Sequence, residues 1–402
     1  MSRIKTGLDA LLAAPSRYLQ GRRLQVRRGQ VHRLGLVANH TSIGPDLEPS
    51  ARHINQLDGC QLVRLFAPEH GYYGVEQDMA PVAGSADPAT GLPIHSLYGS
   101  EASSLAPEVS LFADLDHLIF DIQDVGARYY TFIYTLAHCM EAAGKAGLSV
   151  VVLDRPNPIN GIALEGNLVR EGFFSFVGQL PLLNRHGMTV GELARMFRDH
   201  FGIACDLTVA PMQGWRRDMW YDQTGLPWVP PSPNMPTLDT AAVYPGMCLV
   251  EGVQLSEGRG VTRPFEVVGA PGVDPFHLAR SLNRAALPGV TFRPQYFKPT
   301  FQKHAGKVCG GVFLHITDRE IFQPVRTGVE VLRAFAAEFP EAFAWRTEPY
   351  EFVSDRPAID LLYGHSGLRT GWDQAVPKTP RLEGWEEDRE HFSTLRRPFL
   401  LY

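Results

Sequence analysis

Four short apolar runs in the first half of the chain each stop at a polar, turn-forming segment. Leu34–Ala38 runs into Asn39-His40-Thr41-Ser42, and Leu62–Ala67 into Pro68-Glu69-His70-Gly71. His117–Phe120 runs into Asp121-Ile122-Gln123-Asp124-Val125-Gly126, and Ser149–Leu153 into Asp154-Arg155-Pro156-Asn157-Pro158. Continuous apolar runs of this length read as strands buried on both faces, which is the signature of a parallel sheet. The Pro and Gly residues then force loops. In an open α/β sheet the loops at the carboxyl ends of the strands form the ligand crevice. Titratable side chains are therefore expected where a buried sheet meets solvent.

The connections fit this reading. Between the third and fourth runs, Tyr129, Phe132, Ile133, Leu136, Met140 and Ala143 recur at helical spacing, predicting a helix from about Arg128 to Ala146 that Gly144 and Gly147 end. Strand, helix and strand at this spacing make a βαβ unit with parallel strands. Residues 4–14 read as a short helix stopped by Pro15. Thr189 and Glu192 have the spacing of a capping box ahead of Leu193, Met196 and Phe197, and Asp206–Ala210 reads as a further strand. The prolines of Trp228–Pro236 exclude regular structure and mark an ordered loop near a boundary close to residue 245. The expected organisation is two domains, 1–245 and 246–402. In the second half Val308–Ile316 reads as a strand and Val325–Phe339 as an amphipathic helix. The last thirty or so residues are polar, with Trp372, Trp385 and Phe392 as anchors.

Composition narrows the function classes. A chain of 402 residues with 44% hydrophobic and 20% charged residues is long enough for a large core without staples. A net charge of -5 gives no basic surface for nucleic acid, and Arg22, Arg23, Arg27, Arg28 and Arg33 read as a solvated segment beside the first strand. The 5 cysteines are scattered, with no C-x-x-C pair, and several, lying within apolar runs, read as small buried hydrophobes. No apolar segment reaches the length of a membrane span or of a signal-peptide core, so a cytoplasmic protein is expected. There is no G-x-G-x-x-G, Walker A loop, G-x-S-x-G or H-E-x-x-H, so no nucleotide cofactor and no metal is expected.

Several loops combine residue types that carry chemistry. A carboxylic acid at the rim of an apolar sheet can have its pKa raised by desolvation, which suits Glu69 to general-acid work; His70 stands beside it. A helix cap or loop ion pair is the plain alternative. Asp121, Gln123, Asp124 and Arg128 fall between a strand and a helix, where Asp124 could serve only as a cap. Arg128, read in the first helical turn, opposes the helix dipole and so has an anion to meet, either a ligand or simply Asp121 or Asp124. Asp154 and Asn157, held by flanking prolines, offer donors and acceptors for sugar hydroxyls or a rigid strand-exit turn. Glu257, Arg259 and Arg263 lie in a Gly-rich stretch that lets backbone approach a ligand, with Asn234 in the Pro-rich loop nearby. Phe297–Lys303 reads as packing rather than binding.

Seven motifs in order resemble the exo-β-N-acetylmuramidase family of the NamZ (YbbC-like) type. They are Leu36–Thr41, Pro68–Gly71, Phe120–Tyr130, Leu153–Pro158, Arg185–Thr189, Pro231–Thr237 and Glu257–Gly260. The resemblance runs from about residue 30 to Tyr402. It implies a Rossmann-like amino-terminal domain without a nucleotide, a smaller α+β carboxyl-terminal domain, and a cleft where they meet. It also implies release of N-acetylmuramic acid from the non-reducing end of peptidoglycan fragments, with Glu69 as the leading catalytic candidate. Secreted relatives carry export signals and none is visible here, which favours imported or recycled muropeptides as substrate.

Glycoside hydrolysis usually takes two carboxyl groups, roughly 5–5.5 Å apart for retention and 6.5–9.5 Å for inversion. Glu69 is the expected acid, and Asp121, Asp124 or Glu257 the second group. The substrate's acetamido group is an alternative nucleophile. Arg128, Arg259 or Arg263 is expected to meet the lactyl carboxylate. Asn39, His40, Gln123, Asp154, Asn157 and Asn234 would hold hydroxyls, and Tyr129 or Tyr130 a wall. Two other readings are a metal-dependent hydrolase using His40, His70 and Asp121, and a sugar-binding protein without catalysis. Oligomeric state is not legible.

Overall fold

The computed structural model describes residues 3–19, 31–377, 382 and 384–402. Arg22, Arg23, Arg27 and Arg28 of the basic segment lie outside them. The first sheet has seven strands: β1 (His32–Ala38), β2 (Cys60–Ala67), β3 (Ser85–Ala86), β4 (Pro93–Ser96), β5 (His117–Asp121), β6 (Ser149–Leu153) and β7 (Asp206–Ala210). Their order is β3-β4-β2-β1-β5-β6-β7, and every pair is parallel except β3 with β4. The predicted strands all form, two of them within the predicted bounds and the rest within a residue or two.

Both faces of this sheet are buried, as continuous apolar runs require. Val37, Phe66, Phe120 and Val152 point into one core. Leu36, Leu65, Ile119 and Val151 point into a second core, covered by the helix Gly7–Ala13. That helix lies so close that a Cβ on Gly7 would sit 2.2 Å from the Asp154 backbone nitrogen. The capping box of Thr189 and Glu192 opens the helix Val190–Asp199 as predicted.

The helix between β5 and β6 spans Phe132–Ala146, not Arg128–Ala146. The Arg128 N–H donates to the Asn184 carbonyl at 2.9 Å, and Ala127 bridges Arg185. Pairing with a neighbouring loop wins over helical spacing, so the argument from a helix dipole at Arg128 does not apply. Residue 245 falls inside the helix Leu238–Met247, with Pro245 near its end.

A second, antiparallel sheet has β8 (Val267–Ala270), β9 (Val290–Phe297) and β10 (Cys309–Ile316) in the order β8-β10-β9. β9 escaped the sequence reading because Pro294 interrupts it; as an edge strand it tolerates the missing donor. The helix Pro324–Glu338 forms within a residue of its predicted bounds. Trp372, Trp385 and Phe392 are buried as expected, the last two on the helix Trp385–Arg396. One apolar core runs from Val37 through the Leu238–Met247 helix to Phe392, so the two sheets are joined by packing as well as by chain.

Candidate active site

β2 ends at Ala67, and the chain turns at once: the Gly71 N–H donates to the Pro68 carbonyl at 3.0 Å. His70 (φ 69°) and Gly71 (φ 80°) both take left-handed backbone, which is uncommon for a residue other than glycine. This turn throws the Glu69 carboxyl off the sheet edge. Its Oε2 accepts from the Thr131 hydroxyl at 2.7 Å and its Oε1 from the Met79 N–H at 3.3 Å. Thr131 is the residue before the Phe132–Ala146 helix, so two loops of the sheet edge converge on one carboxyl. His70 Nδ1 donates to the Glu76 carbonyl at 2.9 Å.

Glu69 and His70 line a small cavity of about 40 Å³. From the first half it also takes Asp78, Tyr129–Phe132, Val177, Ser232, Asn234 and Met235. From the second half come Tyr244, Glu251, Arg259, Phe265, Tyr350 and Glu351. The cleft therefore forms between the two halves, as the family resemblance implies.

Its far wall is an ion network. Arg259 reaches Asp78 at 3.0 Å, Glu251 at 2.7 Å and Glu257 at 3.3 Å, and Lys303 reaches Glu257 at 2.9 Å. Tyr350 donates to Glu251 at 2.6 Å. These neighbours hold the Arg259 guanidinium firmly in its charged form against the cost of burial. Burial pushes the Glu251 carboxyl up, opposed by Arg259.

Glu351 faces Glu69 from this wall. It sits in a two-residue hairpin closed by Tyr350 N–H to the Val353 carbonyl and Val353 N–H to the Tyr350 carbonyl, both 2.9 Å. Glu351 (φ 46°) and Phe352 (φ 67°) both occupy left-handed backbone. Such turns favour Asn-Gly, and bulky residues there store strain of about 1–3 kcal/mol each. Tyr98 donates to Glu351 Oε2 at 3.1 Å and also interacts with Glu69. Burial, then the charge of Glu69, push the Glu351 carboxyl well above the usual carboxylate range.

Of the residues predicted from sequence, Glu69, His70, Tyr129, Tyr130, Asn234 and Arg259 line the cavity. Asn234 Nδ2 donates to the Gln77 side chain at 2.8 Å. The others do not. Asp121 is bound by Arg155 through Nε (2.6 Å) and Nη2 (2.9 Å) and is fully buried. Asp124 caps its own loop, accepting from the Gly126 N–H at 2.8 Å with His186 at 3.6 Å. Glu257 stands behind Arg259, paired with it and with Lys303. None of the three candidates for a second carboxyl reaches the cavity lining; the acids that do are Asp78, Glu251 and Glu351.

Arg128 has 0% exposure, and its guanidinium donates to four carbonyls, those of Asn167, Leu182, Leu362 and Tyr363. It ties the loops beneath the site together and leaves no face for a ligand anion. Arg263 is half-exposed, 3.4 Å from Glu266 and away from the cavity. Asp154 accepts from Thr189, Gly191 and Tyr402, each at 2.8 Å, and burial pushes its pKa up to about 7. Asn157 spans the Met188 carbonyl and the Ile159 N–H, pressed so close that Gly126 has no room for a Cβ. Gln123 donates to the Asp124 and Pro156 carbonyls, and Asn39 accepts from both the N–H and the hydroxyl of Thr41. His40 Nε2 meets the Pro230 carbonyl at 2.6 Å. With Asp121 in its ion pair, His40, His70 and Asp121 do not converge as metal ligands. Among the described residues no group of three or more His, Cys, Asp or Glu is placed to hold a metal.

The sequence reading missed Asp78, Tyr98, Thr131, Glu251, Tyr350 and Glu351. Glu251 did leave a signal: it is a lone acid within the apolar run Met247–Val253. Glu351 left none, because Pro349-Tyr350-Glu351-Phe352 reads as surface loop. A larger groove, about 1030 Å³, runs beside Glu165, Arg185, Arg326 and the Trp385–Arg396 helix. The smaller cavity is the better candidate, because it lies beneath the sheet-edge loops and takes the Glu69 carboxyl into its lining.

Models of the exo-beta-N-acetylmuramidase NamZ N-terminal and C-terminal domains match residues 34–239 and 242–402. The chain is 41% identical over 400 residues to the peptidoglycan beta-N-acetylmuramidase NamZ of Bacillus subtilis (strain 168), covering 100% of this chain and 92% of that protein. A crystal structure of a DUF1343 family protein from Bacteroides fragilis NCTC 9343 superposes with a TM-score of 0.87 at 34% identity, covering 100% of this chain and 99% of that one. A second DUF1343 structure from the same organism gives 0.73 at 28% identity, with the same coverage. No helix among the described residues is long and apolar enough to cross a membrane.

Proposed function

The chain belongs to the exo-beta-N-acetylmuramidase NamZ family, and from that premise we infer that it is a glycoside hydrolase acting on peptidoglycan fragments. It removes N-acetylmuramic acid from their non-reducing ends. The observation that carries the reading is the placement of Glu69: a carboxyl aimed from the sheet edge into a cavity lined by residues of both halves. A small pocket of this kind suits the end of a glycan rather than its middle, and so suits muropeptides better than intact wall. At about 40 Å³ the cavity has room for a few waters only, so the two walls part to admit a pyranose.

Glu69 is assigned the anomeric centre. His70, Asn234 and Tyr129 line the sugar site, and Arg259, the cation of the lining, is assigned the lactyl carboxylate. The test is turnover of an aryl β-N-acetylmuraminide by wild type and Glu69→Gln. Wild type releases the aryl group and the variant loses roughly 10²–10⁴-fold. A wild type that binds the sugar without cleaving it, and a variant that binds equally, would mark a sugar-binding protein instead.

A further inference from the structure

We propose that Glu351 is a second catalytic residue of this cleft, the carboxyl that protonates the departing glycosidic oxygen opposite Glu69. The assignment rests on the glycosidase reading above and adds the group that it lacks, since Asp121, Asp124 and Glu257 are all held elsewhere.

Three independent observations carry it. Glu351 lines the same cavity as Glu69, on the opposite half of the molecule, as two carboxyls flanking a scissile bond must. The Tyr98 hydroxyl bonds Glu351 at 3.1 Å while interacting with Glu69, so one phenol relates the two acids. The backbone beneath Glu351 is held at φ 46° with Phe352 at φ 67°, a conformation costly for these side chains and maintained by both hydrogen bonds of the hairpin. Strain of this kind concentrates at working sites, where the surrounding fold over-determines the geometry.

The electrostatics agree. Glu69, Asp78 and Glu251 put negative charge near Glu351; Arg259 pairs with Asp78, Glu251 and Glu257; Tyr98 donates to Glu351, and Tyr350 to Glu251. On its other side Phe352 packs with Tyr98 and Phe176, and the apolar groove beyond carries His138 and Glu141. Burial and these charges push the Glu351 carboxyl well above the usual carboxylate range, while both Glu69 oxygens accept hydrogen bonds. Two acids whose surroundings differ in this way divide into donor and acceptor.

The step balances. Glu351 gives its proton to the glycosidic oxygen as the bond from C1 to that oxygen breaks and its electron pair stays with the oxygen. Glu69 faces the positive charge that develops at C1. Water then adds to C1, and its proton restores Glu351.

The full-length chain is assayed on two substrates: 4-nitrophenyl β-N-acetylmuraminide, whose leaving group needs little protonation, and the N-acetylmuramyl-β-1,4-N-acetylglucosamine disaccharide, whose leaving group needs it. Glu351→Gln is expected to lose roughly 10²–10⁴-fold on the disaccharide, much less on the aryl glycoside, and the basic limb of the pH–rate profile. Equal losses on both substrates, or a retained disaccharide rate, overturn the assignment. Tyr98→Phe keeps both carboxyls and removes a donor that lowers the Glu351 pKa, so its basic limb moves to higher pH. An unmoved limb overturns the assignment even if Glu351→Gln does not fold. Wild type inactive on both substrates defeats the glycosidase reading itself; wild type active with Glu351→Gln unimpaired defeats only the role of Glu351.

Discussion

Asp121 and Glu69 leave the same edge of the same sheet, and they are put to opposite uses. Asp121 ends the buried parallel strand β5 and Glu69 stands two residues past β2, each before a stretch rich in Pro or Gly. β1 and β5 meet where the strand order reverses, the point at which open α/β sheets usually bind ligands. Here that crevice is filled by the protein itself. Arg155 clamps Asp121, the Ser42 hydroxyl donates to the Asp121 carbonyl, and the Thr41 hydroxyl accepts from the Gln123 N–H at 3.1 Å. One strand further along, Glu69 accepts from the Thr131 hydroxyl and the Met79 N–H, interacts with Tyr98, and faces a cavity. An acid whose acceptor sites are filled by internal donors holds loops together. An acid with capacity left, facing an opening, has chemistry to offer.

The comparison is sharpest where activity and stability separate. Glu69→Gln should cost roughly 10²–10⁴-fold in turnover with a melting temperature close to wild type. Asp121→Asn should do the reverse. It leaves Arg155 buried with a neutral partner and costs about 3–5 kcal/mol by urea unfolding, with near-normal turnover per folded molecule. If Asp121→Asn proves stable but inactive, the two loops have been assigned the wrong way round.

Arg128 extends the test to the cations. Arg128→Ala removes a buried guanidinium from four carbonyls and should cost a similar 3–5 kcal/mol, read as loss of soluble protein or a lower unfolding midpoint. A stable variant with raised KM would return Arg128 to ligand binding.

Asp154 gives a smaller, pH-dependent effect. Its folded pKa, about 7, lies above the ordinary value of 3.8. The folded protein therefore holds the proton more tightly, and the stability this group contributes is full below about pH 4 and is lost as pH rises through 7. Asp154→Asn should flatten that fall when melting temperature is followed from pH 4 to 8. An unchanged slope would remove Asp154 from the buried network. Arg263→Ala should be the mildest change, within about 0.5 kcal/mol in stability and with nearly wild-type turnover, because its ion pair is half-exposed.

The legibility of the fold and of the site differ for one reason. Ser149–Leu153 and Asp206–Ala210 form strands as read, and Thr189 caps its helix as read, because each is specified by neighbours in sequence. Arg128 was misread because its backbone pairs with Asn184, a partner that local spacing does not reveal. Asp121, Asp124, Asp154 and Glu69 look alike in sequence, each a carboxylate at a strand exit or in the loop after it. Their difference lies in the donors they meet: Arg155, Gly126, Thr189 with Tyr402, and Thr131 with Met79.

By itself, then, the order of residues determined the parallel sheet, its crossover helix, the family motifs and the loop that carries Glu69. Apolar periodicity, caps and turn residues act over a few positions and are written along the chain. Folding decided which of the many acids stays unclamped and which is brought opposite Glu69. Glu351 comes from a hairpin in the other half of the molecule, and only packing of the two halves places it beside Tyr98. The free energy of a buried carboxyl depends on the donors and charges within a few ångströms, and those neighbours are chosen by the tertiary fold.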